Sequence, residues 1–367
     1  MKICIVGGGN IGTALAVDFA SKNHTVNILT SRPQDWSRQL VASISFGGGC
    51  EQSLTADVNL TTSDARAAFD SADYIFVTLP SNVQSDFAKK VAPFVNAEMN
   101  FVMIPGFGGA EFLLQPILQT GAKMFGFQRT PYVARLKQYG QSVWFDRKKS
   151  NVAAVFSDGD IATFLRDMEE LFDMPCEGLS NYLAVTLTPS NPVLHTSRLY
   201  SMLRLSEEPF ERNPPFYAQW DDAASEILFA LDGELQAVCR ALPKFDLSGV
   251  LSLKIHYESD TVPALTKKIR SIPSLNKIFS PMKLSPEGWL PDFDNRYFKC
   301  DFEYGLDILL QFADALNLNS PTMHEVMNWY RRRTKNFVRA VNLSDFGITS
   351  AQDICNFYRV AKQSERS

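Results

Sequence analysis

The 367-residue sequence has no long apolar run and no excess of positive charge. No stretch approaches the ~20 consecutive apolar residues that a membrane-spanning helix needs, so no membrane association is expected. The net charge of −4 argues against a nucleic-acid surface or an anionic membrane as a partner. The first strand pattern starts at the second residue, so we expect no secretory signal and a cytoplasmic location.

The chain is also poor in clusters of residues that bind metals. It has six cysteines, none in C-x-x-C spacing, and only four histidines, which are scattered. Such cysteines are typical of free thiols in a reducing compartment, and no metal site is predicted. The remaining composition, 45% hydrophobic and 21% charged, is that of a globular protein. The length exceeds that of most single hydrophobic cores, so two domains are expected.

The first thirty residues have the pattern of a strand, a glycine-rich turn, a helix and a second strand. Residues 1–6 are short and apolar, as a strand buried on both faces is. Three glycines follow in G-x-G-x-x-G spacing, which permits a tight turn, close approach of a pyrophosphate and close helix packing. The N-terminal N–H groups of the helix then face the phosphates. The residues expected to hold a dinucleotide here are Gly7, Gly9, Asn10, Ile11 and Gly12.

The residue after the second strand selects between the two nicotinamide dinucleotides. An Asp or Glu at that position binds the ribose 2′-hydroxyl of NAD. This sequence has Thr30 there, followed by Ser31 and Arg32, so hydroxyls and a guanidinium can bind a 2′-phosphate that no carboxylate repels. Arg38 is expected to reach the same phosphate. These residues predict NADP rather than NAD as the cofactor; the alternative is that both arginines are solvated loop charges.

Strand and helix patterns alternate up to about residue 180. Such β-α-β units predict an α/β fold with a doubly wound, Rossmann-type parallel sheet. Ligands bind at the carboxyl ends of these strands, so Leu79 and Pro80 join the expected cofactor-binding residues. Helical periodicity predominates from residue 181 onward. We therefore predict a dinucleotide-binding domain over 1–180 and a mostly α-helical substrate domain over 181–367, with the substrate cleft where they meet.

A nicotinamide enzyme needs a proton donor beside the carbon that receives hydride, and histidine suits that role near neutral pH. His24 precedes the second strand, and His256 and His324 lie in ordinary helical patterns. His195 differs, because it lies in Asn-Pro-Val-Leu-His at the start of the first helix of the second domain, with Arg198 one turn later. The alternative is a capped helix with a half-buried histidine.

A second group of candidates lies in the segment 292–306, where aromatic residues alternate with charged ones. Arg296 can bind a carboxylate through two parallel hydrogen bonds. Asp301 can orient a histidine and raise its basicity through the Nδ1–H group. On spacing alone a solvated loop is an equal alternative.

Taken together, these segments resemble the opine dehydrogenase family, which includes octopine, nopaline and carboxyethyl-norvaline dehydrogenases. The resemblance covers most of the chain and rests on Gly-Gly-Gly-Asn-Ile-Gly at 7–12, Thr-Pro-Tyr-Val-Ala-Arg at 130–135, Asn-Pro-x-x-His at 191–195, and the spacing of Arg296, Asp301 and Gly-Leu. It implies that an amino acid and an α-keto acid condense to an imine, which hydride then reduces. It also implies that His195 polarises the keto oxygen and carries the proton, that Asp301 pairs with His195, and that Arg296 binds a substrate carboxylate.

The sequence departs from the family pattern in two ways. Cys300 stands before Asp301, where the family usually has an acidic residue. The octopine-type members use NAD, whereas metallophore-making relatives use NADP.

A ketopantoate-reductase-like or glycerol-phosphate-dehydrogenase-like enzyme is the first alternative function. Those enzymes use a lysine at the start of the helical domain, but no lysine lies between Lys149 and Lys244. A non-catalytic NADP-binding protein is the second alternative. A homodimer is the expected assembly.

Overall fold

Two units make up the chain, Met1–Thr186 and Leu187–Ser367. The computed structural model describes residues 1–46, 50–157, 159–206, 208–334 and 337–358. The predicted boundary at 180/181 lies six residues before the division between the two units. None of the helices in these described ranges is long and apolar enough to cross a membrane.

The first unit is organised around an eight-stranded sheet. The strands of this unit are β1 (Lys2–Val6), β2 (Thr25–Leu29), β3 (Gln39–Phe46), β4 (Cys50–Asp57), β5 (Leu60–Thr62), β6 (Tyr74–Val77), β7 (Asn100–Met103), β8 (Lys123–Phe127), β9 (Tyr132–Gln138), β10 (Ser142–Arg147), β11 (Asn151–Val155) and β12 (Cys176–Gly178). The spatial order is β12-β11-β8-β7-β6-β1-β2-β5, and neighbouring strands are parallel except β8 and β11. β1 lies between β6 and β2, so the strand order reverses there, and ligands bind at such a switch point.

Helices cover both faces of this sheet, which confirms the predicted Rossmann-type fold. They are α1 (Asn10–Ser21), α2 (Ala65–Phe69), α3 (Ser81–Val91), α4 (Ala110–Leu113), α5 (Gln115–Leu118), α6 (Ile161–Phe172) and α7 (Leu183–Thr186). Aromatic rings fill the layer between the sheet and the helices α1 and α6. Phe19 of α1 and Phe172 of α6 pack edge to face with ring centroids 5.1 Å apart, and both contact Phe76 of β6.

A second sheet of four strands, in the order β4-β3-β10-β9, is the main feature that the sequence did not predict. β3 pairs antiparallel with β4 and parallel with β10, and β10 pairs antiparallel with β9. The sequence pattern predicts one strand over 57–62, but β4 ends at Asp57 and β5 covers only Leu60–Thr62. Serine and glutamine interrupt the apolar alternation of β3 and β4. The local pattern therefore predicts these strands poorly, and β3 also pairs with β10, which is distant in sequence.

The second unit is mostly helical, as predicted. Its helices are α8 (Asn191–Leu203), α9 (Asp222–Arg240), α10 (Leu253–His256), α11 (Val262–Arg270), α12 (Arg296–Phe298), α13 (Asp307–Ala315), α14 (Pro321–Arg333) and α15 (Ala351–Phe357). A π-helical segment, Lys299–Leu306, joins α12 to α13, and a hairpin is formed by β13 (Met282–Ser285) and β14 (Gly288–Pro291).

One helix differs from the prediction because a capping residue decides where it begins. Helical periodicity predicts a helix from Phe216, but α9 begins at Asp222. The carboxylate of Asp221 accepts a hydrogen bond from the N–H of Ala224 at 2.8 Å and so caps the helix. The residues before it are therefore free to take a non-helical path.

Candidate functional site

The loop after β1 has the geometry of a phosphate-binding turn. Gly7 has a φ of +103°, in the left-handed region that favours glycine. A Cβ on Gly12 would lie 2.0 Å from the carbonyl oxygen of Gly7, so only glycine permits this approach of α1 to β1. A Cβ on Gly9 would meet nothing within 4 Å, so the space over the helix start is open. A pyrophosphate fits this space, where the N–H groups of Asn10 and Ile11 begin α1.

The neighbouring strand ends support this turn. The hydroxyl of Thr78 donates to the carbonyl of Val6 at 2.9 Å, which ties the end of β6 to the end of β1. Leu79 lies directly beside the glycine turn, and Pro80 is the residue that precedes α3. The side chain of Asn10 accepts a hydrogen bond from a backbone N–H of β9 at 2.9 Å. The Oδ1 of Asn10 is therefore engaged within the protein, and its backbone N–H at the start of α1 is the group suited to a phosphate.

The end of β2 carries an aromatic residue that the sequence did not single out. The hydroxyl of Thr30 lies 3.1 Å from the hydroxyl of Tyr139, and the guanidinium of Arg32 lies 4.1 Å from the centre of the Tyr139 ring. Tyr139 comes from the turn between β9 and β10, in the sheet that was not predicted. No local sequence signal connects it to Thr30, because 109 residues separate the two.

The other two residues predicted to bind a 2′-phosphate are exposed. Ser31 follows Thr30 on the surface, while Arg38 precedes β3 and extends into solvent with 81% of its side chain accessible. Arg38 lies 3.8 Å from Asp57, which is an exposed ion pair of small energetic value. Its proposed phosphate contact remains a prediction.

In the second unit, His195 lies in the second turn of α8 and is buried. Its Nδ1 lies 2.7 Å from the carboxylate of Asp301, and its Nε2 lies 2.7 Å from the hydroxyl of Tyr217. Because a carboxylate only accepts hydrogen bonds, Nδ1–H donates to Asp301, which leaves Nε2 to form the hydrogen bond with Tyr217. Both ring nitrogens are therefore oriented, which is the arrangement of a general acid–base histidine.

Aromatic residues fix the plane of the imidazole. The ring of Tyr297 stacks on His195 at 4.1 Å with an interplanar angle of 14°, and Phe216 packs edge to face at 5.5 Å. Burial raises the pKa of Tyr217, and the nearby Tyr297 and Asp301 add to this effect. Tyr217 is therefore a neutral hydroxyl that can donate to Nε2. Sequence reasoning missed both tyrosines, because aromatic residues are as typical of a core as of a site.

A glycine and a π-helical turn place Asp301 beside the histidine. A Cβ on Gly305 would lie 2.7 Å from Pro192, so glycine allows the π-helical segment to contact the first turn of α8. The wider π-helical turn carries Asp301 on the side that faces His195, and such turns are frequent at functional sites. The contact that the resemblance implied is thus built by two segments 106 residues apart.

The two candidate arginines have different surroundings. Arg198 is buried: its Nε donates to the carbonyl of Phe216 at 3.1 Å, and Nη1 pairs with Asp221 at 2.8 Å. It therefore holds the segment that carries Tyr217. Arg296 is exposed, 5.6 Å from the Tyr297 ring centre, and within the described ranges no carboxylate pairs with it. Its guanidinium is available to bind a substrate carboxylate.

The remaining histidines lie elsewhere. His24 accepts a hydrogen bond from the N-terminal amine at 3.1 Å, and His324 lies 3.1 Å from Asp314 on the surface. His256 is an exposed residue at the end of α10.

Comparisons with known proteins show what the chain is similar to. Residues 178–334 match the family model described as NAD/NADP octopine/nopaline dehydrogenase, alpha-helical domain, and residues 2–99 match NADP oxidoreductase coenzyme F420-dependent. Octopine dehydrogenase of Mizuhopecten yessoensis is 26% identical over 359 residues, with 91% of this chain and 90% of that protein covered.

Solved structures show the same fold. An octopine dehydrogenase with NADH and L-arginine has a TM-score of 0.82 at 22% identity, covering 96% of this chain and 97% of that one. A yersinopine dehydrogenase with NADP⁺ has a TM-score of 0.68 at 12% identity, covering 98% of each chain.

Proposed function

Because this chain belongs to the opine dehydrogenase family, we propose that it is an NADP-dependent opine dehydrogenase with His195 as its general acid–base group. Enzymes of this family are NAD(P)-dependent oxidoreductases that act on CH–NH bonds. The substrates would be an amino acid and an α-keto acid, which condense to an imine before reduction. The observation that carries the proposal is the Asp301–His195 pair, with the guanidinium of Arg296 near the aromatic ring that stacks on His195.

The proton chemistry follows from the hydrogen bonds of His195. Condensation of an amine with a ketone releases water, so the departing oxygen must receive a proton. The carboxylate of Asp301 accepts from Nδ1–H and stabilises the imidazolium, while Nε2 delivers or takes up the proton. The hydroxyl of Tyr217 marks the direction along which Nε2 forms its second hydrogen bond. A reduced nicotinamide, when bound, would supply the hydride for the imine carbon.

Both substrates are carboxylates, so their orientation requires cationic groups. A planar guanidinium binds a carboxylate through two parallel hydrogen bonds, and Arg296 has no ion-pair partner among the described residues. Holding the imine at a defined angle removes much of the entropy cost of reaction. Arg296 would therefore bind the carboxylate of the keto acid.

Preference for NADP is the finer part of the proposal. No carboxylate stands at the end of β2, and the side chain of Arg32 is more than half exposed.

A cytoplasmic location and a homodimer also remain predictions. The free thiols of Cys4 and Cys176 are consistent with a reducing compartment.

The test of the proposed function is a steady-state screen of NADPH and NADH oxidation across pairs of amino acids and keto acids. We expect turnover only when both substrates are present, since the imine forms from the two. Reduction of a keto acid without any amine would favour the ketopantoate-reductase-like alternative. Binding of the cofactor without turnover for any pair would leave a non-catalytic protein as the better interpretation.

Replacement of Arg296 by lysine should raise KM for the keto acid by about 10-fold or more and change kcat less, because one of two charge-assisted hydrogen bonds is lost. Initial rates with varied keto acid at saturating amino acid would measure this. Arg332→Lys, at an exposed position on α14, is the matched control. An unchanged KM in Arg296→Lys would remove Arg296 from the substrate site.

A further inference from the structure

The most informative unassigned contact in the chain lies at the cofactor end of the first unit, where Tyr139 meets the end of β2. We propose that Tyr139 determines specificity for the ribose 2′-phosphate by holding the guanidinium of Arg32 and presenting its own hydroxyl to the phosphate. This inference rests on the proposed preference for NADP. It assigns the recognition to the turn between β9 and β10, outside the β-α-β units themselves.

The position of the hydroxyl is the first support. A Cβ built on Gly8 would lie 3.0 Å from the Tyr139 oxygen, so this oxygen lies directly over the glycine turn. The same oxygen lies 3.1 Å from the hydroxyl of Thr30 at the end of β2. In a dinucleotide-binding fold, the adenosine ribose lies between the glycine turn and the end of the second strand. The Tyr139 hydroxyl therefore lies where the adenosine ribose of a bound dinucleotide would be.

The surroundings of Thr30 indicate that it acts through Tyr139. Thr30 is only 8% exposed, and its hydroxyl is occupied by Tyr139 and by the N–H of Arg32 at 3.4 Å. A buried hydroxyl with these partners holds a neighbour in place rather than reaching a ligand. Tyr139 is the more exposed member of the pair.

The ring of Tyr139 also orients the guanidinium of Arg32, which lies three residues after the end of β2. The guanidinium of Arg32 lies 4.1 Å from the ring centre, a distance typical of cation–π stacking. Its Nε lies 3.7 Å from Asp35, but both side chains are substantially exposed, so this pair is weak and a phosphate dianion can displace the carboxylate. The Arg32 side chain is 57% exposed, so its N–H donors are accessible to a phosphate.

The turn itself is held rigidly. The N–H of Ser37 donates to the carbonyl of Gly140 at 2.9 Å, and Gly140 has a φ of +67°. A Cβ at Gly140 would lie 2.4 Å from the carbonyl oxygen of Asp35. Trp36 packs edge to face on the Tyr139 ring at 5.8 Å. These contacts fix the ring before any ligand binds, which limits the entropy cost of recognition.

The electrostatics of the phenol agree with a site for an anion. Burial acts to raise the pKa of Tyr139, but the hydrogen bond with Thr30 and the charge of Arg32 outweigh it, so the pKa lies below its usual value. A phenol hydroxyl can donate its proton to a phosphate oxygen.

The experiment compares binding of 2′,5′-ADP and 5′-AMP, two probes that differ only in the 2′-phosphate, to the full chain by calorimetry. We expect the wild type to bind 2′,5′-ADP at least about 10-fold more tightly, since hydrogen bonds to a charged group are strong. Tyr139→Phe should reduce this ratio several-fold by weakening 2′,5′-ADP binding alone. Tyr139→Ala should reduce it further, because Arg32 loses the ring on which it stacks.

Tyr74→Phe is the control, because it removes a phenol hydroxyl that bonds Asp167 in the same unit at 2.7 Å. Melting curves identify any variant that fails to fold. Equal binding of the two probes to the wild type, an unchanged ratio in Tyr139→Phe, or equal weakening of both probes would each overturn the inference. Since no substrate is present, failure of the opine reaction would leave these results unaffected.

Discussion

Replacement of His195 by asparagine is expected to lower kcat by about 10²–10⁴-fold, the usual contribution of general acid–base catalysis. The imidazole is held by Asp301 and Tyr217 through both ring nitrogens, at 2.7 Å each, and asparagine cannot take up and release a proton near neutral pH. Affinity for NADPH should stay the same, because the cofactor cradle belongs to the first unit. Steady-state kinetics and fluorescence titration with NADPH measure the two quantities separately.

The control is His324→Asn, which removes an exposed histidine paired with Asp314 and should retain activity. A further comparison shows whether His195 and Asp301 act together. If Asp301 works only by orienting the imidazole, the double variant His195→Asn/Asp301→Asn should be no slower than His195→Asn alone. A kcat for His195→Asn within a few-fold of the wild type would exclude His195 as the proton-transferring group.

Replacement of Asp18 by asparagine is expected to lower the free energy of unfolding by about 3–5 kcal/mol, the typical cost of breaking a buried ion pair by removing one partner. Asp18 is fully buried on α1 and pairs with Arg147 of β10. It also accepts a hydrogen bond from Tyr132 of β9 at 2.5 Å. The substitution removes the buried carboxylate that Arg147 and Tyr132 share and leaves Arg147 with its exposed partner Asp173, so α1 loses a polar contact with β9 and β10.

Urea unfolding of the full chain, followed by far-UV circular dichroism, measures this change. Asp173→Asn is the matched control: Asp173 pairs with the same Arg147 and with Lys22, but 62% of its side chain is exposed. Exposed pairs contribute about 0–1 kcal/mol, so this control should be nearly neutral. Equal destabilisation by the two substitutions would contradict the view that burial of Asp18 makes the pair important.

Much of the fold is readable from local sequence patterns. The glycine spacing at residues 7–12 indicates a tight backbone turn, and at Gly7 and Gly12 the backbone conformation or its close approach excludes a side chain. Proline in the first turn predicts the start of α8, and helical periodicity predicts α11 and α14. Such signals are local, because the hydrogen bonds of a helix lie within one segment of the chain. The sequence pattern predicts helices over 192–205, 261–269 and 322–334, and α8, α11 and α14 begin and end within two residues of these bounds.

The second sheet shows why the rest was not predicted. β3 and β10 pair in parallel although about a hundred residues lie between them, so neither strand has its partner in any short window. Strand preference is set largely by the neighbours a strand packs against. Tyr139 was missed with this sheet, because it reaches Thr30 only once β9 and β10 have formed.

In the candidate active site, too, the sequence predicted some features and only the tertiary structure decided others. The sequence predicted the cofactor class and the residue types that the chemistry needs. These are a histidine after Asn-Pro and an arginine five residues before an aspartate. Their local spacing reflects the helix and the turn on which each one lies. The folded chain alone decided that Asp301 bonds Nδ1, that Tyr217 bonds Nε2 and that Tyr139 stacks with Arg32. Those contacts join segments distant in sequence, and packing of whole elements, rather than spacing along the chain, brings such segments together.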